Sequence, residues 1–141
     1  MSRQFKSSIL PTVIILSLLL ISWILNCATM RPFTNISPVQ AQALIQRNTE
    51  NPNFILLDVR TPQEFSTGHI KGALNINFNA PDFASKIDEL NKSATYLVYC
   101  KVGGRSGKAM QVMQEKGFKK VFNIEGGIDK WQAGNLPIEK K

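Results

Sequence analysis

The sequence predicts an α/β domain built on a parallel sheet with helices on both faces, and three observations carry that expectation. Short, continuous apolar runs rich in β-branched and aromatic residues, such as Phe54-Ile55-Leu56-Leu57 and Thr95-Tyr96-Leu97-Val98-Tyr99, suit strands buried on both sides. Stretches with helical spacing and helix-start signals alternate with them, as crossover-connected parallel strands require. A length of 141 residues and a hydrophobic content of 43% fit one globular domain and argue against disorder.

Residues 1–29 read as a signal peptide or membrane anchor outside the fold. A basic start with Arg3 and Lys6 precedes an almost uninterrupted apolar run from Ile9 to Leu25. That run is near the lower limit of a bilayer span, about 17–25 residues, and longer than an ordinary secretory core. The preceding positive charge favours a cytoplasmic amino end, which puts the body outside the cytoplasm, on the periplasmic side in a bacterium. Cys27 follows the run in a context that resembles a lipoprotein lipobox, although Asn26 stands where a small residue is usual. A lipidated Cys27 and an uncleaved anchor both remain open. Residues 30–36 read as a tether and 37–141 as the folded domain.

Ser37-Pro38 starts a first helix, with Ser as N-cap and Pro at the first helical position. Val39, Ala43 and Leu44 form its apolar stripe, which runs to about Arg47. The strand 54–57 ends in Asp58-Val59-Arg60, and Thr61-Pro62 opens a short helix that Gly68 stops. Residues 73–76 suit a second strand and 81–90 a helix with Phe83, Ile87 and Leu90 on one side. After the strand 95–99 comes a helix over 106–116, closed by Gly117, then a strand over 121–124 and a last helix around 128–132 bearing Trp131.

The segment Tyr99-Cys100-Lys101-Val102-Gly103-Gly104-Arg105-Ser106 carries the chemistry. A strand ends, the chain turns and a helix begins. Gly103 and Gly104 permit backbone angles closed to other residues, so that successive N–H groups can face inward as an anion cradle. The first turn of the helix adds free N–H groups and a positive dipole end. A cysteine in that field is drawn towards thiolate, the nucleophilic form. Lys101, Arg105 and Lys108 add positive potential. By the loop pattern alone, an inert buried cysteine remains an alternative. In parallel sheets ligands sit beyond the carboxyl ends of the strands, where Cys100 lies.

Three blocks, in order, resemble the rhodanese (sulfurtransferase) family: Leu57-Asp58-Val59-Arg60-Thr61-Pro62-Gln63-Glu64-Phe65 with Gly68-His69-Ile70-Lys71-Gly72-Ala73-Leu74-Asn75; the Cys100 loop; and Glu125-Gly126-Gly127-Ile128 with Trp131 and Gly134-Asn135-Leu136-Pro137. The resemblance covers about Ile36 to Ile138 and implies a single rhodanese-like domain whose mostly parallel sheet has about five strands. It implies that Cys100 takes a sulfur from a small anionic donor such as thiosulfate. The persulfide is then unloaded by cyanide or another thiol, with no metal and no organic cofactor. The N–H groups of Lys101, Val102, Gly103, Gly104, Arg105 and Ser106 would stabilise the persulfide, and Arg105 would organise the loop and help hold the donor. Asp58 and Arg60 would form a structural ion pair beside it. His69 is read as ordering its loop, and Trp131 as core.

Four residues separate Cys100 from Arg105. Related phosphatases and arsenate reductases have one more, so the shorter loop favours sulfur transfer. A non-catalytic binding or persulfide-carrier module is the alternative, and a phosphatase or redox reductase comes third. The net charge of +7 is scattered, without aromatic-basic interleaving, which speaks against a nucleic-acid role. One histidine and one cysteine in the body do not make a metal cluster. No pattern in the residues points to a protein partner.

Overall fold

Each strand of the sheet forms where the sequence places an apolar run or a long-range partner for one. The computed structural model describes residues 31–140, and Cys27 with the whole 1–29 segment lies outside them. The strands are β1 (Thr34–Ile36), β2 (Phe54–Asp58), β3 (Leu74–Asn75), β4 (Thr95–Tyr99) and β5 (Lys120–Ile124). They form one five-stranded sheet in the order β1-β5-β4-β2-β3, with every pairing parallel. The helices are α1 (Pro38–Arg47), α2 (Pro62–Thr67), α3 (Phe83–Asp88), α4 (Gly104–Glu115) and α5 (Gly127–Ala133).

The sheet is buried on both faces, and β4 shows why its sequence is apolar throughout. Tyr96, Val98 and Cys100 point into one core with Phe83 and Ile87 of α3 and Ala109 and Met113 of α4. Leu97 and Tyr99 point into the other, with Ala41 of α1 and Ile128 and Trp131 of α5. Alternate residues thus face opposite layers, and both layers are apolar. Truncating Met113, which is fully buried, to Ala would cost about 2–5 kcal/mol.

The helix-start signals act as the sequence suggests. Ser37 accepts the Gln40 N–H at 3.3 Å and the Gln40 side chain accepts the Ser37 N–H at 2.9 Å. Thr61 and Glu64 form the same reciprocal box, at 3.2 and 3.0 Å. Both boxes place proline in the first turn.

The expected tether at 30–36 is corrected: its last three residues are β1, paired with Phe122–Ile124, and Ile36 is buried. Three residues carry no readable period, and their partner lies at the far end of the chain. The strand expected over 73–76 shortens to Leu74–Asn75, and the helix expected over 81–90 to Phe83–Asp88. The helix after the Cys100 loop begins at Gly104 rather than at 106. Among the described residues no helix is long and apolar enough to cross a membrane.

Candidate active site

β4 and β2 run in register, Tyr99 beside Asp58, so the chain segments leaving their carboxyl ends emerge together. From β4 come Cys100 and its loop; from β2 come Val59, Arg60 and helix α2. Helix α5 approaches from the third side. Its amides bind the loop's first two carbonyls: Ile128 N–H donates to Cys100 O at 2.9 Å and Asp129 N–H to Lys101 O at 3.1 Å. With those carbonyls taken up by α5, the Gly103 amide that follows is left to serve the sulfur.

The Gly103 N–H donates to Cys100 Sγ at 3.1 Å, and the Ser106 hydroxyl lies 3.3 Å from the same atom. The Ser106 hydroxyl is also 3.2 Å from the Gly103 carbonyl, and its single proton can serve only one of them. An anionic sulfur is the stronger claimant. Cys100 is 1% exposed, and burial by itself pushes the thiol up. The Ser106 hydroxyl and the amides of Ser106, Gly103 and Val102 outweigh that burial, and the thiol lies below its ordinary value.

Gly103 adopts φ +94°, the conformation its lack of a Cβ allows. Gly104 does not share it. It has no positive φ and opens α4, so one glycine rather than two makes the turn. Val102 is exposed at the loop's tip, and Lys101 is exposed beside it.

Arg105 was expected to organise the loop and hold the donor. Its guanidinium is gripped in a two-point pair by Glu64 of α2, Nη1 to Oε2 at 2.8 Å and Nη2 to Oε1 at 2.7 Å. That pair holds the Glu64 carboxyl down at about 2 and raises Arg105, with Cys100 adding to the latter. Sequence reasoning gave Glu64 no place at the site. Its spacing from Thr61 marks a helix start, and that role occupies the same carboxylate.

Asp58 and Arg60 form a buried ion pair beside the loop, Nη2 to Oδ2 at 2.7 Å, with Nε bound to the same carboxylate. Arg60 Nη2 also donates to the Gly68 carbonyl at 2.7 Å. The Arg60 guanidinium lies 5.8 Å from the centre of the Tyr99 ring. Tyr99 OH accepts the Ile70 N–H at 3.1 Å, and burial pushes its phenol up. His69 stacks on Phe65, keeps Nδ1 3.0 Å from the Phe65 carbonyl, and exchanges two backbone hydrogen bonds with Glu139. It orders its own turn and the C-terminal segment. Trp131 is buried, its indole N–H donating to the Pro137 carbonyl at 3.0 Å.

Gly127 is a further residue that the sequence left without a role. At φ +59° it sits against the loop so closely that a Cβ there would overlap the carbonyl oxygens of Cys100 and Lys101. The glycine pair before the last helix was the available signal.

The arrangement can hold a negative sulfur among aimed donors at the end of a parallel sheet. Comparisons with known proteins point to one family. The family model described as the rhodanese-like domain matches residues 40–134. A sulfurtransferase of Allochromatium vinosum is 30% identical over 103 residues, 73% of this chain and 94% of that protein. The thiosulfate sulfurtransferase GlpE of Actinobacillus pleuropneumoniae serotype 5b is 33% identical over 107 residues, covering 76% and 94%. A rhodanese-related protein of Thermoplasma volcanium superposes with a TM-score of 0.64 at 27% identity, over 77% of this chain and 99% of that one. The chain therefore belongs to the rhodanese-like domain family.

Proposed function

We propose that the protein is a sulfurtransferase that carries a sulfane sulfur as a persulfide on Cys100. The observation that carries this reading is the convergence of the Gly103 N–H and the Ser106 hydroxyl on Cys100 Sγ, at 3.1 and 3.3 Å. The likeness to proteins named thiosulfate sulfurtransferase supports the donor class. In the first step the Cys100 thiolate attacks the outer sulfur of thiosulfate. Its electron pair forms the new S–S bond, the old S–S bond breaks, and sulfite leaves with that bond's electrons. The terminal sulfur of the persulfide is then the anion that loop donors serve. In the second step cyanide attacks that sulfur through carbon, releasing thiocyanate and restoring the thiolate. Lys101 and the dipole of α4 favour an anionic donor. Arg105, tied to Glu64, acts by holding the loop and by its field.

The test is thiocyanate formation by the full-length chain from thiosulfate and cyanide. Wild type should turn over and Cys100→Ala should not. Intact mass after thiosulfate alone should rise by one sulfur atom, located on Cys100. Equal turnover by Cys100→Ala would end the proposal.

We further infer, from the apolar run Ile9–Leu25 behind Arg3 and Lys6, that this chemistry is tethered to a membrane with the body outside the cytoplasm. Mass analysis of the mature N-terminus distinguishes lipid on Cys27 from an intact anchor. A mature chain recovered only from the soluble fraction would overturn the tether.

A further inference from the structure

The carbonyl at the end of the Cys100 loop is contested. Gly103 O caps the start of α4, and three donors reach it: the Gly107 N–H at 3.0 Å, the Ser106 hydroxyl at 3.2 Å and the Asn123 side-chain amide at 3.5 Å. A carbonyl oxygen has two lone pairs. The Gly107 N–H takes one as a backbone bond of the helix, so Ser106 and Asn123 compete for the other. Asn123 lies on β5, 4% exposed, directly across from Asn35 of β1. Its amide nitrogen also donates to Asn35 Oδ1 at 2.9 Å. Both acceptors therefore face the nitrogen, and turning the amide over would set oxygen against oxygen at each. That orientation has a cost. Among the described residues Asn123 Oδ1 is the one buried side-chain oxygen or nitrogen with no hydrogen-bond partner. A buried orphan acceptor is destabilising, and leucine, of nearly the same shape, would avoid it.

Ser106 has an alternative that the Asn123 amide lacks: its hydroxyl is also 3.3 Å from Cys100 Sγ. We propose that Asn123 is a positioning residue for the nucleophile, its amide occupying the Gly103 carbonyl from the β5 side and so leaving the Ser106 proton to Cys100 Sγ. This role rests on the persulfide reading of Cys100. Without the amide, the hydroxyl would turn to the carbonyl whenever the sulfur is protonated, and forming the thiolate would then require breaking that bond. The anion would lose part of what Ser106 gives it. The hydrogen bonds of Asn123 go to Asn35 and Gly103 and not to the sulfur, so its influence passes through Ser106. The charged groups beside the sulfur, Arg105 with Glu64 and the exposed Lys101, are common to every variant below and drop out of the comparison.

The experiment measures the pH midpoint of Cys100 alkylation by iodoacetamide in the full-length chain, followed by peptide mass so that Cys27 is read apart. Asn123→Leu and Asn123→Ala should each raise the midpoint by about half to one pH unit, because the Ser106 hydroxyl is then divided rather than lost. In a Ser106→Ala background the same changes should move it by less than about 0.2, since no hydroxyl remains to direct. A merely structural asparagine would lower stability and leave the midpoint in place. The urea midpoint of Asn123→Leu should instead stay near wild type, because leucine removes the orphan oxygen together with the donor. Asn123→Ala serves the test if leucine does not fit. The kcat/KM of Asn123→Leu for thiosulfate should fall about three- to tenfold below the wild-type midpoint and recover above the variant's own. Midpoints within about 0.2 of wild type in both variants, or equal shifts with and without the Ser106 hydroxyl, would overturn the role. Alkylation needs no sulfur transfer, so absence of thiocyanate from wild type would overturn the persulfide reading separately.

Discussion

Glu64 grips Arg105 through both carboxylate oxygens, at 2.8 and 2.7 Å, across 41 residues of sequence. The arginine at the start of α4 is thereby tied to α2, and the loop between Cys100 and α4 is held at both ends: by α5 on its carbonyls and by Glu64 on its arginine. A cation so committed positions the loop more than it contacts a donor.

The pair gives stability a pH dependence. Glu64 is held down at about 2, well below its ordinary 4.5. A depressed carboxyl stabilises the fold fully above its unfolded value, and that share is lost as pH falls through the folded value. Glu64 is partly exposed, so solvent screening reduces the contribution to about 1–2 kcal/mol. Urea unfolding of wild type should weaken between pH 4.5 and 2 by about that amount. Glu64→Gln should lose the effect in that window and should slow thiocyanate formation at pH 7. An unchanged pH slope in the variant would remove Glu64 as the source.

Ser106→Ala removes a hydroxyl that lies 3.3 Å from the sulfur. A hydrogen bond to a charged group is worth about 1.5–3 kcal/mol, and each 1.36 kcal/mol is about one pH unit. Alkylation of Cys100 followed against pH should show its midpoint rise by about one to two units in the variant. The serine is fully buried, so a urea midpoint checks that the fold survives. A midpoint that stays in place would mean that the backbone amides alone hold the anion.

Gly127→Ala and Gly72→Ala form a matched pair. Both glycines have positive φ, +59° and +81°, but only at Gly127 would the new methyl meet backbone, whereas at Gly72 nothing lies within 4 Å. Gly72→Ala should cost about 1 kcal/mol from backbone strain alone. Gly127→Ala should cost about 2–4 kcal/mol and reduce turnover more than tenfold, because the atoms it displaces belong to Cys100 and Lys101. Similar turnover in the two variants would show that α5 does not set the loop.

Arg60→Met strands the Asp58 carboxylate, which is fully buried. Removing one partner of a buried pair costs about 3–5 kcal/mol. Thermal or urea unfolding should show a loss of that order, whereas Asp58→Asn with Arg60→Met together should cost less than the single change. A loss below about 1 kcal/mol would mean that solvent or another group already serves Asp58.

What could be read along the chain was whatever depends on neighbours in sequence. Ser37-Pro38 and Thr61-Pro62 start helices because a cap and its donors are three residues apart. β4 announces itself by composition, and the Cys100 loop by a glycine where the turn needs φ +94°. The order of such elements and the rhodanese-like blocks were enough for a parallel α/β sheet. The remainder depended on partners distant in sequence, which only register and packing choose. β1 is a strand because Phe122–Ile124 offers it an open edge, not because Thr34-Asn35-Ile36 has a pattern. Glu64 belongs to Arg105, and Gly127 to the Cys100 carbonyl, because parallel register brings the carboxyl ends of β2, β4 and β5 together. Residue types set the local backbone and the reactive atom. The three-dimensional fold decided which groups surround that atom, since those contacts exist only once the sheet has aligned segments far apart in the chain.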